Sequence, residues 1–279
     1  MKIYIMTDQE GVAGVLNSVD YAFLESHYYE LAKELLTGEV NAAIDGFFAA
    51  GASEITVADG HGPGSIHQLQ LDPRAELLRG FSTGYPYLLD STYDYIAWVG
   101  QHAMSRTEYA HLAHTGSMAK FEYTVNGTAI GEFGQLALCA SELGPRSIFG
   151  AGDKAFCLEA AALVPGIETV AVKRGTTPGK GDECDAKQYA LRNTGAIHWH
   201  PERARQAIRK GAERAIRRAQ KEAFGLIPMK PPFEMIKQFR ATSERPRTTI
   251  RDTHPTSVIA LFKSIPLDPP TAKEKKAPC

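Results

Sequence analysis

Short apolar runs that stop abruptly at glycine and polar residues, separated by stretches of helical period, constrain this chain more than any other feature. Lys2–Thr7 (KIYIMT), Glu54–Ala58 and Tyr93–Gly100 (YDYIAWVG) have the length and β-rich composition of buried strands. Between the first two, residues 21–36 read as helix, Thr37-Gly38 as a break, and the following residues as a second helix. That second helix carries Val40, Ala43, Ile44, Phe47 and Phe48 on one stripe and Gly51 as its C-terminal cap. Further on, residues 131–142 read as helix, Ser147–Phe149 as a short strand, Asp153 as the N-cap of another helix and Thr169–Val172 as a strand. Residues 175–195 read as an irregular connection, 201–224 as a long arginine-rich helix, and Ser257–Phe262 as the one strand of a proline-rich end. Such alternation specifies an α/β fold: an open, mostly parallel sheet with helices on both faces and a smaller C-terminal part. In FEYTVNGTAI (121–130), Asn126-Gly127 between alternating segments predicts a two-residue type I′ hairpin, which makes the sheet mixed where it intrudes.

Acid and imidazole groups fall where the strands stop. Asp8 and Glu10 follow the first, His61 the second and His102 the third. In a parallel sheet these ends lie along one edge, where α/β proteins build their sites, so four potential metal ligands converge. In Asp8-x-Glu10 the two carboxylates project the same way from extended chain. Gathering carboxylates with imidazoles is unfavourable without a cation, and the mixed oxygen and nitrogen set suits Zn²⁺, with Mn²⁺ or Co²⁺ as alternatives. Gly11 lets the backbone turn away, the glycines of DGHGPG free the backbone around His61, and Asp59 is placed to orient a metal-bound imidazole. Glu132 opens a helix, where the dipole favours a carboxylate on local grounds alone. His111 and His114, three apart, would share a helix face, but the adjacent glycine argues against a helix there.

Charge and cysteine usage narrow the class. Up to His200 there are 13 basic and 24 acidic residues, and beyond it 18 basic and 8 acidic. The basic residues are dispersed along one amphipathic helix and a polar tail without aromatic interleaving, which favours a solvated face complementing acidic surface over a nucleic-acid site. Four scattered cysteines with no CxxC spacing predict reduced thiols. With no long apolar run and no cleavable leader, a soluble cytoplasmic protein without membrane contact is expected. Gly150–Ala155 matches a relaxed dinucleotide fingerprint, which would make the chain a nucleotide-binding oxidoreductase, but the motif opens mid-chain after a three-residue strand. His198-Trp199-His200 could present two imidazoles, yet Pro201 assigns them to a helix start.

TDQEG (7–11), DGHG (59–62), GQHAM (100–104), HTGSM (114–118) and GEFG (131–134), in this order and spacing, resemble the motifs of the bacterial zinc D-aminopeptidase family over about residues 1–173. The resemblance implies two zinc ions per subunit, with Asp8 bridging them and Glu10, His61, His102 and Glu132 completing their shells. It implies His114 as the catalytic histidine, short D-amino-acid-containing peptides as substrates, and a self-compartmentalising homodecameric ring. HTGSM in place of the family's SHSM and a glycine-richer DGHGPG loop are departures that touch substrate choice more than metal binding. A catalytic, metal-binding α/β domain over residues 1–200 is expected, with 201–279 a helix and strand region packed on the same body and ending in a mobile basic tail, DPPTAKEKKAPC. A metal-stabilised peptide-binding protein would share the ligand set and differ from the enzyme in turnover.

Overall fold

In the first strand Ile3 and Ile5 are buried on one side of the sheet and Tyr4 and Met6 on the other, the pattern of a strand covered on both faces. A computed structural model describes residues 1–264. The chain runs through β1 (Lys2–Thr7), α1 (Ser18–Tyr21), α2 (Tyr29–Ala49), β2 (Glu54–Asp59), β3 (Glu76–Leu78), β4 (Tyr95–Gln101), β5 (Lys120–Val125), β6 (Thr128–Ala129) and α3 (Glu132–Leu143). It continues through β7 (Arg146–Asp153), α4 (Lys154–Leu163), β8 (Glu168–Gly175), α5 (Ala186–Arg192), β9 (Ala196–His198), α6 (Pro201–Ala219), β10 (Phe233–Phe239), β11 (Thr248–His254) and α7 (Val258–Lys263).

The main sheet has seven strands in the order β3-β2-β1-β4-β7-β8-β9 and is parallel except for β9, which runs antiparallel to β8. Helices α2 and α6 cover one face; α3 and α4 cover the other, together with a four-stranded antiparallel sheet, β11-β10-β5-β6, and α7. The type I′ hairpin forms, with Asn126 at φ 49° and Gly127 at φ 76°, but it belongs to this second sheet; the main sheet is mixed because of β9.

Thr37-Gly38 does not break α2. Gly38 and Gly46 lie eight residues apart on the face toward α6, where a Cβ at Gly46 would run into the Arg209 carbonyl and sit 2.9 Å from the Ala212 Cβ. Glycine here serves close helix approach, a demand from tertiary packing that local propensity does not register. Ser257–Phe262 is likewise helical: the Ser257 side chain caps α7 by accepting from Ala260 N, and Val258, Leu261 and Phe262 are buried at helical spacing. Residues 175–195 contain α5, opened by a capping box between Asp185 and Gln188.

Gly150 and Gly152 lie inside β7, not in a phosphate loop. A Cβ at Gly150 would press on the Phe156 ring, and one at Gly152 would strike the Gln101 carbonyl, so both glycines serve packing. The basic face of α6 is matched within the chain: Arg209 pairs with Asp45, Arg214 and Arg218 with Glu168, and Arg205 with Glu202. Cys139, Cys157 and Cys184 are free thiols. Among the described residues no helix is long and apolar enough to cross a membrane. The DPPTAKEKKAPC tail lies outside the described residues.

Candidate metal centre

The ends of β1, β2 and β4 meet at one edge, and backbone contacts fix the course of the chain beyond β1. Asp8 N–H donates to Val99 O at 3.0 Å and Gly11 N–H to Gly100 O at 2.7 Å, laying Asp8–Gly11 along the end of β4. A Cβ at Gly11 would collide with the carbonyls of Gly100 and Gln101. Glycine is needed there for close approach, rather than for the turn its position suggests. Gly100, at φ 79°, is held against the Asp8 carbonyl, and no L side chain adopts that conformation easily.

Asp8 stands between two groups of ligands. Its Oδ1 accepts from Gln9 N (2.8 Å) and lies 3.2 Å from His61 Nδ1; its Oδ2 accepts from Gln101 Nε2 and lies 3.1 Å from His102 Nε2. On the first side Glu10 Oε2 is 3.0 Å from His61 Nδ1, and Asp8, Glu10 and His61 are all buried. On the second, His102 Nε2 is 3.5 Å and His114 Nε2 3.7 Å from Glu132 Oε1, and the two imidazoles stack at 3.9 Å between centroids. Each set, Asp8/Glu10/His61 and His102/His114/Glu132, brings one donor atom per residue within 4.8 Å of the others. All six residues singled out in the sequence are therefore brought to one place.

Backbone carbonyls fix which nitrogen each imidazole offers. His61 Nε2–H donates to Ala22 O (2.8 Å), leaving Nδ1 for the carboxylates. His102 and His114 are reversed: Nδ1–H donates to Ala103 O (2.9 Å) and Leu112 O (2.8 Å), and Nε2 faces inward. Asp59 does not orient His61. It accepts from Ser65 N and Ile66 N and so closes the loop that carries the histidine, while the Arg79 guanidinium donates to the carbonyls of Asp59, His61 and Gly62.

The donor set fits divalent cations. Three carboxylates converge, Asp8 and Glu10 buried and Glu132 half-buried, and Glu10 Oε2 and His102 Nε2 are buried without a hydrogen-bond partner, a costly state unless something else binds there. Burial opposes charge throughout, yet mutual attraction outweighs it. His61 is driven up to about 12 by Glu10 and Asp8, and His102 rises well above its ordinary value beside Asp8 and Glu132. Burial raises Asp8 and Glu132, but His102 above all pulls the first well below the usual carboxylate range and the second down to about 2. The carboxylates thus demand positive charge, supplied either by protons on the imidazoles or by cations that leave the imidazole lone pairs free to coordinate.

Beside Asp8 and Glu132 opens a recess of about 100 Å³, walled by Phe81, Tyr85, Tyr87, Trp98 and Leu136. Sequence reasoning overlooked Gln101, the Gly116 N–H that donates to Glu132 Oε1 (2.5 Å), and this aromatic wall. The one signal for the wall was an aromatic-rich stretch, FSTGYPY (81–87), in an otherwise polar connection. Other histidines stay outside. His111 is held down at about 2, by burial first and then by Lys173; His198 accepts from Gly14 N; His200 caps α6.

A family model described as D-aminopeptidase matches residues 1–252. The chain belongs to the D-aminopeptidase family. A D-aminopeptidase of Bacillus subtilis (strain 168) is 29% identical over 179 residues, a stretch covering 62% of this chain and just under two thirds, 64%, of that relative. The solved structure of the Zn-dependent D-aminopeptidase DppA from Bacillus subtilis, described as a self-compartmentalizing protease, superposes with a TM-score of 0.78 at 21% identity, covering 94% of this chain and 95% of that one. The D-aminopeptidase match spans all six converging residues, and the superposition establishes a shared fold over 94% of the chain.

Proposed function

We propose that this member of the D-aminopeptidase family is a dinuclear zinc aminopeptidase that releases the N-terminal residue of short peptides containing D-amino acids. The observation that carries the reading is Asp8, whose two oxygens face two separate ligand groups. Asp8, Glu10 and His61 would hold one zinc ion, and Asp8, His102 and Glu132 the other. Two zinc ions held there would supply Lewis acidity to the scissile carbonyl and an activated water.

The remaining steps belong to the chain itself. His114 is the more exposed of the stacked imidazoles, at 14% against 1% for the side chain of His102, and its Nδ1–H is committed to Leu112 O. Its Nε2 is thus free to carry the proton that the leaving amine must gain. Gly116 N–H and Gln101 Nε2 hold the Glu132 and Asp8 carboxylates in place, and the aromatic recess seats the N-terminal side chain away from water. The reading includes a cytoplasmic location, residues 1–200 as the catalytic domain with the C-terminal region packed on it, and a homo-oligomer, in finer form a decameric ring. The description of the DppA structure as self-compartmentalizing supports the oligomer.

The test combines metal analysis with turnover of a D-alanyl peptide panel. About two zinc ions per chain and D-selective release are expected of the wild type, and metal without turnover of His114→Ala. A wild type that binds zinc and hydrolyses no amide would be a peptide-binding protein instead. Light scattering of the native protein checks the assembly.

A further inference from the structure

Next to the ligand groups lies a lysine with no counter-charge. Lys120 opens β5 and is 7% exposed; its own backbone is satisfied by Ser117 O and Ser105 Oγ. Among the described residues its ammonium has no hydrogen bond, ion pair or aromatic face. The carboxylates around it are engaged elsewhere: Glu122 with Arg106, and Glu132 with Gly116 N–H and the two histidines. The stem of Lys120 is packed away while its ammonium, without a partner, still meets solvent, so an arriving anion would find it held in place and unpaired. The β5–β10 register shifts between Gln238 and Phe239, opposite Lys120, an irregularity of the kind that re-aims a side chain beside a site.

The placement of this charge is specific. Gly116, at φ 68°, points its N–H at Glu132 Oε1, and a Cβ built on its other side would stand 2.5 Å from Lys120 Nζ. One glycine therefore separates the ammonium from a carboxylate of the second ligand group, and the lack of a side chain leaves the ammonium reachable. Consecutive residues of an extended peptide are about 3.8 Å apart, so the free carboxylate of a dipeptide lies one residue beyond its scissile carbonyl.

We infer that Lys120 receives the C-terminal carboxylate of the peptide substrate, which makes the site selective for dipeptides and similarly short peptides with a free acid end. The inference rests on the aminopeptidase reading and adds the feature that measures substrate length. Lys120 is a specificity-determining contact, distinct from the residues that hold metal.

The experiment compares D-alanyl-glycine with D-alanyl-glycinamide on the zinc-loaded full-length protein. The wild type should prefer the free acid in kcat/KM by about 10- to 100-fold, the range of a charge-assisted contact. Lys120→Met should bring the ratio close to one, and Lys120→Arg should restore most of it. Equal use of the two peptides by the wild type, or an equal fall on both in Lys120→Met with the ratio kept, overturns the inference and leaves the peptidase reading intact; the wild-type comparison stands even if Lys120→Met fails to fold. If the wild type hydrolyses neither peptide, the peptidase reading fails, and calorimetric binding of the intact pair then decides: tighter binding of the acid supports Lys120 as its receptor, and equal affinity overturns it.

Discussion

The crossing of α2 on α6 and the sheet edge that carries the carboxylates are both buried and both use glycine for close approach, yet they are finished differently. Between the helices Gly46 admits the Arg209 backbone, Ala204, Ile208, Ala212 and Ala215 are fully buried, and the outlying charges pair across the surface. At the edge Gly11, Gly100 and Gly152 pack the backbone as tightly, but Glu10 Oε2 and His102 Nε2 are left without hydrogen-bond partners. The first region is complete in itself, and the second is complete only with a ligand.

Substitutions can break or sharpen that contrast. The largest effect is expected at Asp8→Asn, which keeps the shape and removes the charge shared by both ligand groups. Activity should fall about a thousandfold or more, metal analysis should show loss of zinc, and the metal-free variant should melt below metal-free wild type, because the carboxylate that His102 and His61 hold ionised is gone and those imidazoles lose a counter-charge. Zinc content and activity kept at the wild-type level would make Asp8 part of the scaffold alone and dissolve the distinction. Gly46→Val forces a branched side chain against the Arg209 carbonyl and should lower stability by about 3 kcal/mol in denaturant titration, with zinc content and kcat per folded molecule retained.

Gly152→Ala probes where the two regions join, since its Cβ would push on the Gln101 backbone, and Gln101 in turn holds Asp8. Both readouts should move, stability by about 2 kcal/mol and kcat/KM by about tenfold. Gly38→Ala should be mildest and opposite in sign. Its Cβ would meet only the flexible end of Arg205, at 3.2 Å, and a helix gains up to about 1 kcal/mol when glycine becomes alanine, so thermal melting should rise slightly. A fall would mean that α2 and α6 tolerate no added volume even at their rim.

Legibility in the sequence tracked the range of the interactions involved. β1, β2 and β4 were legible because unbroken apolar runs are local signals, and the strand ends carried Asp8, Glu10, His61 and His102 with them. Glu132 was hidden because a carboxylate at a helix start has a sufficient local explanation, and only the family resemblance separated it from a cap. Thr37-Gly38 misled because packing against α6, far along the chain, carries the helix through a pair of residues of low local propensity. β10 alternates buried with exposed or half-buried residues and pairs with β5 over more than a hundred positions, with β11 added at its other edge, a contact no local period announces. The Gly116 N–H and the carbonyls behind the histidines were invisible for a simpler reason: every residue carries them.

That anonymity of the backbone bears on how such a centre can change over time. The carbonyls of Ala22, Ala103 and Leu112 decide which nitrogen His61, His102 and His114 present. Any amino acid brings the same oxygen, so replacements at those three positions can accumulate without altering the tautomers, provided the chain keeps its course. The chemistry of the imidazoles is inherited through the path of the backbone, which leaves side chains around the centre free to diversify toward new substrates while the ligands hold their posture.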